Sequence, residues 1–269
     1  MRLTVNERQM HAEPGETAFS LRDRVKPGAD IVIVNGFAAS PSTPLADGDT
    51  IALIRRGEVP STDEFEAVMV ARHTPGVHGR VRDATVGIAG LGGLGSAVAV
   101  ALARVGLGRL VLADFDVVEP SNLNRQCYFA DQIGMRKTEA LADTLARVNP
   151  CVAVEAHTIE VTPGNVGALF ARVDVMVEAL DAAERKAMLV TSFLAEVADV
   201  PVVAASGLAG ADGANSVRTR RAGSRLWLVG DETAEASTGT GLMSPRVGVA
   251  AHHQANAVLR LLLGADPES

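Results

Sequence analysis

Aromatic residues are scarce in this chain. They make up 3% of it, with a single Trp and a single Tyr, so the core has to be built from Val, Leu, Ala and Ile. Cysteine is scarcer still. Cys127 and Cys151 are the only two, which excludes a disulfide framework and a four-cysteine zinc site. Cations are outnumbered, with 25 Lys and Arg against 32 Asp and Glu and a net charge of −7. That balance argues against non-specific nucleic-acid binding and against docking on an anionic membrane. No apolar run approaches the ~18 residues that a membrane-spanning helix needs. The first residues, Met1 to Glu7, turn polar at once, so no secretory leader is expected and a cytoplasmic protein is the simplest reading. What is present is a 269-residue chain that is 47% hydrophobic, enough for one large or two smaller domains.

The chain is organised around one stretch. Thr85 to Ala89 reads as a buried strand running into Gly90-Leu91-Gly92-Gly93-Leu94-Gly95, then an apolar helix from Ser96 to Arg104. A second strand, Arg109 to Ala113, ends on Asp114. Strand, glycine turn, helix, strand and terminal acid make a nucleotide-binding βαβ unit. The glycines admit a tight turn and let backbone amides approach phosphate, and the helix N-terminus adds partial positive charge. Asp114 stands where a carboxylate accepts ribose hydroxyls. These features specify a nucleotide without choosing between NAD and ATP.

Beyond this unit, helices predicted over Met135–Val148, Thr162–Ala171 and Ala183–Val197 alternate with apolar strands at Val152–Ala156, Asp174–Ala179 and Pro201–Ala205. Continuous apolar strands separated by helices predict a Rossmann-like α/β domain, with a mostly parallel sheet and helices on both faces. Arg225–Gly230 is expected as an antiparallel addition, Asp231–Pro245 as a loop over the sheet edge, and Val247–Leu263 as a closing amphipathic helix.

Residues 1–59 read as a separate small domain, followed by a linker helix and loop over 60–84 and the nucleotide domain over 85–269. Arg2–Val5 and Arg8–His11 suggest a hairpin, and Thr17 caps a helix over Ala18–Val25. Ile31–Val34 and Thr50–Ile54 are strands, marked by the turns Asn35-Gly36 and Asp47-Gly48-Asp49. This is the order of a β-grasp domain. With Leu45-Ala46-Asp47-Gly48-Asp49-Thr50-Ile51, it resembles the ThiS/MoaD family of ubiquitin-like sulfur carriers. Those carriers end in a free Gly-Gly carboxylate, whereas here the last strand continues into Arg55-Arg56-Gly57-Glu58-Val59-Pro60. The domain therefore cannot itself be adenylated in the carriers' way. It is expected to be a recognition or dimerisation appendage, or a pseudo-substrate. Ser61 with Glu64 forms a capping box for the linker helix.

Past Asp114 the chain reads Phe115-Asp116-Val117-Val118-Glu119-Pro120-Ser121-Asn122-Leu123-Asn124-Arg125-Gln126, and then Lys137. A dehydrogenase has no need of this cluster, but an enzyme handling a triphosphate does. The Arg125 fork suits phosphate oxygens and the Lys137 ammonium suits neutralisation. The glycine turn, the Asp-x-Asp strand end, the Ser-Asn-Leu-x-Arg-Gln segment and the lysine resemble the ThiF/MoeB/HesA family, the bacterial relatives of ubiquitin-activating enzymes. The resemblance runs from about Thr85 to Leu263.

That resemblance implies ATP-dependent adenylylation of a carrier's C-terminal carboxylate. The nucleotide site it implies comprises Gly90, Gly92, Gly93, Gly95, Asp114, Asp116, Ser121, Asn122, Leu123, Asn124, Arg125, Lys137, Asp181 and Ala182. Gly93, Asn122 and Arg125 fall on phosphate, Asp114 on the ribose, Lys137 on the β- and γ-phosphates, and Asp181 on Mg2+. Asp181 read alone is a helix N-cap. Arg72 is the candidate for the arginine that the family sends across a homodimer. No zinc is expected, since the family's paired Cys-x-x-Cys is missing. Ser237 stands four residues before Gly241, where many members carry a cysteine, and Ala182 replaces the usual Asn. Cys127 and Cys151 read as buried thiols. The expected partner is a separate ThiS-like sulfur carrier, activated as part of thiamine (thiazole) formation. An ATP-binding scaffold, and an enzyme activating a molybdopterin carrier, a tRNA or a small carboxylate, remain open.

Overall fold

A computed structural model describes residues 1–234 and 239–268. The chain forms two compact units, Met1–Gly76 and Val77–Ser269.

In the first unit, β1 (Arg2–Val5) and β2 (Arg8–His11) form a hairpin closed by Asn6 and Glu7. Both turn residues have positive φ, 45° and 65°, as a two-residue hairpin of this twist demands. Helix α1 (Ala18–Val25) carries the expected Thr17 cap. Then come β3 (Ile31–Val34), the short β4 (Phe37–Ala38) and β5 (Thr50–Ile54). The sheet order is β2-β1-β5-β3-β4, with β1 and β5 parallel. Alternation puts Leu3, Val5, Val32, Ile51 and Leu53 on the face that α1 covers with Leu21. This is the β-grasp arrangement. Helix α2 (Thr62–Arg72) begins with the Ser61–Glu64 capping box and is tied to this unit by Lys26–Glu64 at 3.6 Å and Arg72–Glu7 at 2.8 Å.

The second unit opens with the short helix α3 (Val77–Arg82), then β6 (Thr85–Ala89), α4 (Gly93–Arg104) and β7 (Arg109–Asp114). Next come α5 (Lys137–Val148), β8 (Ala153–Thr158), α6 (Val166–Leu169) and β9 (Val175–Glu178). It ends with α7 (Ala183–Glu196), β10 (Val202–Ala205), β11 (Arg218–Arg221), β12 (Leu226–Gly230) and α8 (Ser244–Leu262). The sheet order is β11-β12-β10-β9-β6-β7-β8. Its six parallel strands run β8-β7-β6-β9-β10-β12, the doubly wound order that reverses between β6 and β9. The central strands β6, β7, β9 and β10 bury residues on both faces. Leu110 and Leu112 join one core with Val98, Leu102 and Val258, while Val111 and Ala113 join the other with Phe170 and Phe193.

Several boundaries differ from the sequence reading. Helix α4 starts at Gly93 rather than Ser96, so the second half of the glycine run is already its first turn. The helix expected over Thr162–Ala171 is the single turn of α6. The expected antiparallel addition is corrected: β12 pairs parallel with β10, and the antiparallel edge is β11, whose polar run Arg-Thr-Arg-Arg carries no apolar strand signal. Cys151 is exposed rather than buried. Ser237 and part of the Asp231–Pro245 loop lie outside the described residues.

Candidate functional site

A cleft of about 600 Å³ opens at the carboxyl ends of the strands. A recess of about 140 Å³ adjoins it, and the two share Asp116, Lys137, Ala179, Leu180 and Asp181. This is the place where strand order reverses, and the helices that follow β6 and β9 leave toward opposite faces of the sheet, which opens a crevice.

The loop after β6 is shaped by its glycines. Gly90 has φ +88°, and a Cβ there would lie 2.5 Å from the Ala179 carbonyl oxygen, so the two loops pack backbone on backbone. A Cβ on Gly95 would lie 1.9 Å from the Gly90 carbonyl oxygen, so α4 needs glycine to sit down on its own loop. Gly93 is squeezed between the Arg125 stem and Val247. Two bonds hold the intervening residues. Tyr128 Oη donates to the Leu91 carbonyl at 2.7 Å, and Ser96 Oγ donates to the Gly92 carbonyl at 2.7 Å. Ser96 Oγ also accepts the Cys127 amide at 3.1 Å. Burial pushes the Cys127 thiol up, which keeps it protonated and unreactive. Gly95→Ala drives a methyl into backbone that cannot rotate away. It is expected to cost about 3 kcal/mol and to lower Tm by roughly 6–12 °C in a thermal melt. An unchanged Tm would mean that α4 can move off the loop without penalty.

Asp114 ends β7, buried beneath this loop. Its Oδ2 accepts the Leu91 amide at 2.7 Å and its Oδ1 the Asp116 amide at 2.8 Å. Each oxygen keeps a lone pair for a hydroxyl donor. Asp116 in turn receives Lys137 Nζ at 2.7 Å, and the Asp116 carbonyl accepts the Lys137 amide at 3.0 Å. Lys137, the first residue of α5, is therefore buried and fixed at both ends. Between them the 3-10 turn Pro120–Asn124 is closed by Asn122, whose Oδ1 accepts the Glu119 amide at 3.0 Å. Arg125 follows it. Its Nη1 donates to the Ser121 carbonyl at 3.3 Å and to Asn124 Oδ1 at 2.8 Å. Among the described residues no carboxylate pairs with Arg125.

On the facing wall, β9 ends in Glu178 and the turn Ala179-Leu180-Asp181. Asp181 is exposed at the rim of both hollows. It lies one residue before the N-cap of α7, which is Ala182, and its Oδ1 accepts the Ala182 amide at 2.7 Å. Glu178 is completely buried. Its Oε1 accepts the Leu180 amide at 2.6 Å and its Oε2 the Ala205 amide at 3.3 Å. Lys186 Nζ reaches the two oxygens at 3.1 and 3.2 Å. Burial pushes the Glu178 carboxyl up, and Lys186 together with the two amides pulls it back.

The ThiF family model matches residues 67–269. The chain belongs to the ThiF family. A ThiS-like ubiquitin model matches residues 1–57. Ubiquitin-like modifier-activating enzyme 5 of Arabidopsis thaliana is 48% identical over 83 residues, 31% of this chain and 19% of the relative. The Caenorhabditis elegans enzyme of the same name is also 48% identical over 83 residues, 31% and 20% of the two chains. The chain thus matches about a fifth of the length of these curated relatives. Among solved structures, the E. coli tRNA N6-threonylcarbamoyladenosine dehydratase TcdA in complex with AMP superposes with a TM-score of 0.68 at 22% identity, over 77% of this chain and 98% of that one. E. coli MccB with ATP gives 0.54 at 22% identity, over 75% and 60%. At this identity the likeness is one of fold.

In this ThiF-family chain the two hollows gather Gly90, Gly92, Gly93, Asp114, Asp116, Asn122, Arg125, Lys137 and Asp181, drawn from the three connections β6–α4, β7–α5 and β9–α7. Gly95, Ser121, Leu123, Asn124 and Ala182 do not line them. Gly95 serves packing, Leu123 lies against the core and Asn124 supports Arg125. Arg72 belongs to the first unit and pairs with Glu7. Glu178, Lys186 and Tyr128 are the residues that sequence reading missed. Only Glu178 carries a signal, as an acid at the end of an otherwise apolar strand.

Proposed function

We propose that this chain is an ATP-dependent adenylyltransferase that activates the C-terminal carboxylate of a separate ThiS-like sulfur carrier, within thiazole formation for thiamine. One observation carries the reading. Arg125 and Lys137, from the connection after β7 and the start of α5, and Asp181, from the turn after β9, line one cleft beside a glycine turn at the switch point of the sheet. The ThiF-family match over residues 67–269 supports the same chemistry.

In this reading ATP lies with its ribose hydroxyls on Asp114 and its phosphates over Gly93 and the first amides of α4. Arg125 and Asn122 face the α-phosphate, and Lys137 the β- and γ-phosphates. A carboxylate oxygen of the carrier attacks the α-phosphorus. The P–O bond to the β-phosphate breaks, and pyrophosphate leaves with the electron pair. The nucleophile is already ionised, so no general base is required. The burden is electrostatic, because anions must be held together and in line. Mg2+ fits Asp181, an exposed carboxylate that lines both hollows, because this ion is commonly held by one or two carboxylates plus substrate phosphates. When bound it would neutralise phosphate charge. Arg72 of a second copy is our candidate for a further cation, and its side chain is 73% exposed.

The ThiS-like match over residues 1–57 favours thiamine over other pathways. That segment runs on into Arg55-Arg56-Gly57 and the rest of the chain, so the carrier acts in trans. The relatives named as ubiquitin-like modifier-activating enzymes favour a protein acceptor. A tRNA acceptor is disfavoured by the net charge of −7, since phosphate backbones call for a basic face. Incubation of a ThiS-like carrier with the protein, ATP and Mg2+ is expected to yield a carrier heavier by one AMP in intact-mass spectrometry. An unmodified carrier, with the nucleotide shown to bind, would leave only the scaffold reading.

A further inference from the structure

Within this chain's own cleft, the adenylylation reading demands one cation more than the sequence motifs supply. The triphosphate claims Arg125 and Lys137. The acceptor then brings its own negative charge to within about 3–3.5 Å of the α-phosphorus, where like charge repels it. Among the described residues the larger cleft is lined by three cations, Arg125, Lys137 and Lys186. Lys186 lines this cleft but not the recess that holds Gly90, Gly92 and Asp114. It therefore stands away from the ribose end, on the side walled by Ala205 to Ala209.

We propose that Lys186 is the residue that receives the acceptor's carboxylate. Its geometry suits the task. Two of its three donors meet the Glu178 oxygens at 3.1 and 3.2 Å, longer than the ~2.7–2.9 Å of a tight charged bond. The third is left over, and the side chain is 25% exposed. Lys137, by contrast, is drawn to Asp116 at 2.7 Å and is 8% exposed. Glu178 acts as the anchor. It is buried and held by the Leu180 and Ala205 amides, so it fixes the lysine stem without blocking its outward face. A pair of apolar side chains would hold α7 against β9 at no desolvation cost. The charged pair is retained where its cation has an anion to meet. In the reaction Lys186 holds one carboxylate oxygen while the other attacks, and afterwards it bonds the carbonyl oxygen of the acyl adenylate. It transfers no proton.

This inference rests on the adenylylation reading, and its test separates the two. The probes are AMP and glycylglycyl sulfamoyl adenosine, a stable mimic of the acyl adenylate, titrated calorimetrically into the full chain. The variants are Lys186→Met and Glu178→Gln/Lys186→Met. The second leaves no unpaired buried charge, so it keeps the fold, as a thermal melt verifies. Both variants are expected to bind the mimic on the order of ten-fold more weakly, with the Kd for AMP unchanged within about two-fold. Parent-like affinity for the mimic in the double variant would make Lys186 only the counter-ion of Glu178 and overturn the proposal, as would equal losses for both probes. A parent protein that binds neither probe would sink the adenylylation reading and this inference with it.

Discussion

Arg125→Ala is expected to lower carrier-dependent ATP–pyrophosphate exchange by about a thousand-fold while leaving Tm within a few degrees of the parent. The guanidinium is bonded only to its own turn, at the Ser121 carbonyl and Asn124 Oδ1. No described carboxylate compensates its charge. Its field is therefore free for an incoming anion, and its removal exposes no buried partner. The stem does lie against Gly93, so truncation opens a small gap and a modest loss of stability follows. Activity and stability should thus separate. The measurement is exchange of labelled pyrophosphate into ATP, beside a thermal melt of the same sample. Undiminished exchange would place the phosphates elsewhere in the cleft. A collapse of Tm would mean that Arg125 holds the turn rather than the substrate.

Glu178→Ala is expected to do the opposite, costing about 3–5 kcal/mol of stability and lowering Tm by roughly 6–20 °C. The side chain is completely buried. Its loss orphans the Leu180 and Ala205 amides and leaves Lys186 a partly buried cation with no counter-charge. Buried groups stripped of a partner pay their full desolvation cost. Glu178→Gln should lose less, because one amide oxygen still accepts from the backbone. Differential scanning calorimetry of the two variants checks the order. Equal Tm values for Ala and the parent would show that the site's foundation lies elsewhere.

The site was unevenly legible. Gly90, Asp114, Arg125 and Lys137 stood out because a nucleotide loop and its partners are written within some fifty residues, in a pattern set by turn geometry and charge. Asp181 needed the family pattern, since an acid before a helix also reads as a cap, and the structure puts the cap at Ala182 instead. Strand β11 has no signature in the sequence, because an edge strand buries little and its Arg-Thr-Arg-Arg run shows no apolar alternation. The direction of β12 depends on where a long connection returns to the sheet, which local composition does not encode, and so it runs parallel to β10 rather than antiparallel.

By itself the sequence determined what depends on near neighbours. The Asn35-Gly36 turn, the Ser61–Glu64 cap, the glycine run and the alternating buried strands all follow from interactions a few residues apart. They were enough to call up a β-grasp unit and a doubly wound sheet. Only the tertiary structure decided how the cleft is floored. Glu178 meets the Ala205 amide 27 residues onward, and Gln254 donates to the Glu178 carbonyl from 76 residues away. Gly90 rests on Ala179. Such contacts arise when parallel strands are brought side by side by intervening helices, and no spacing in the chain announces them.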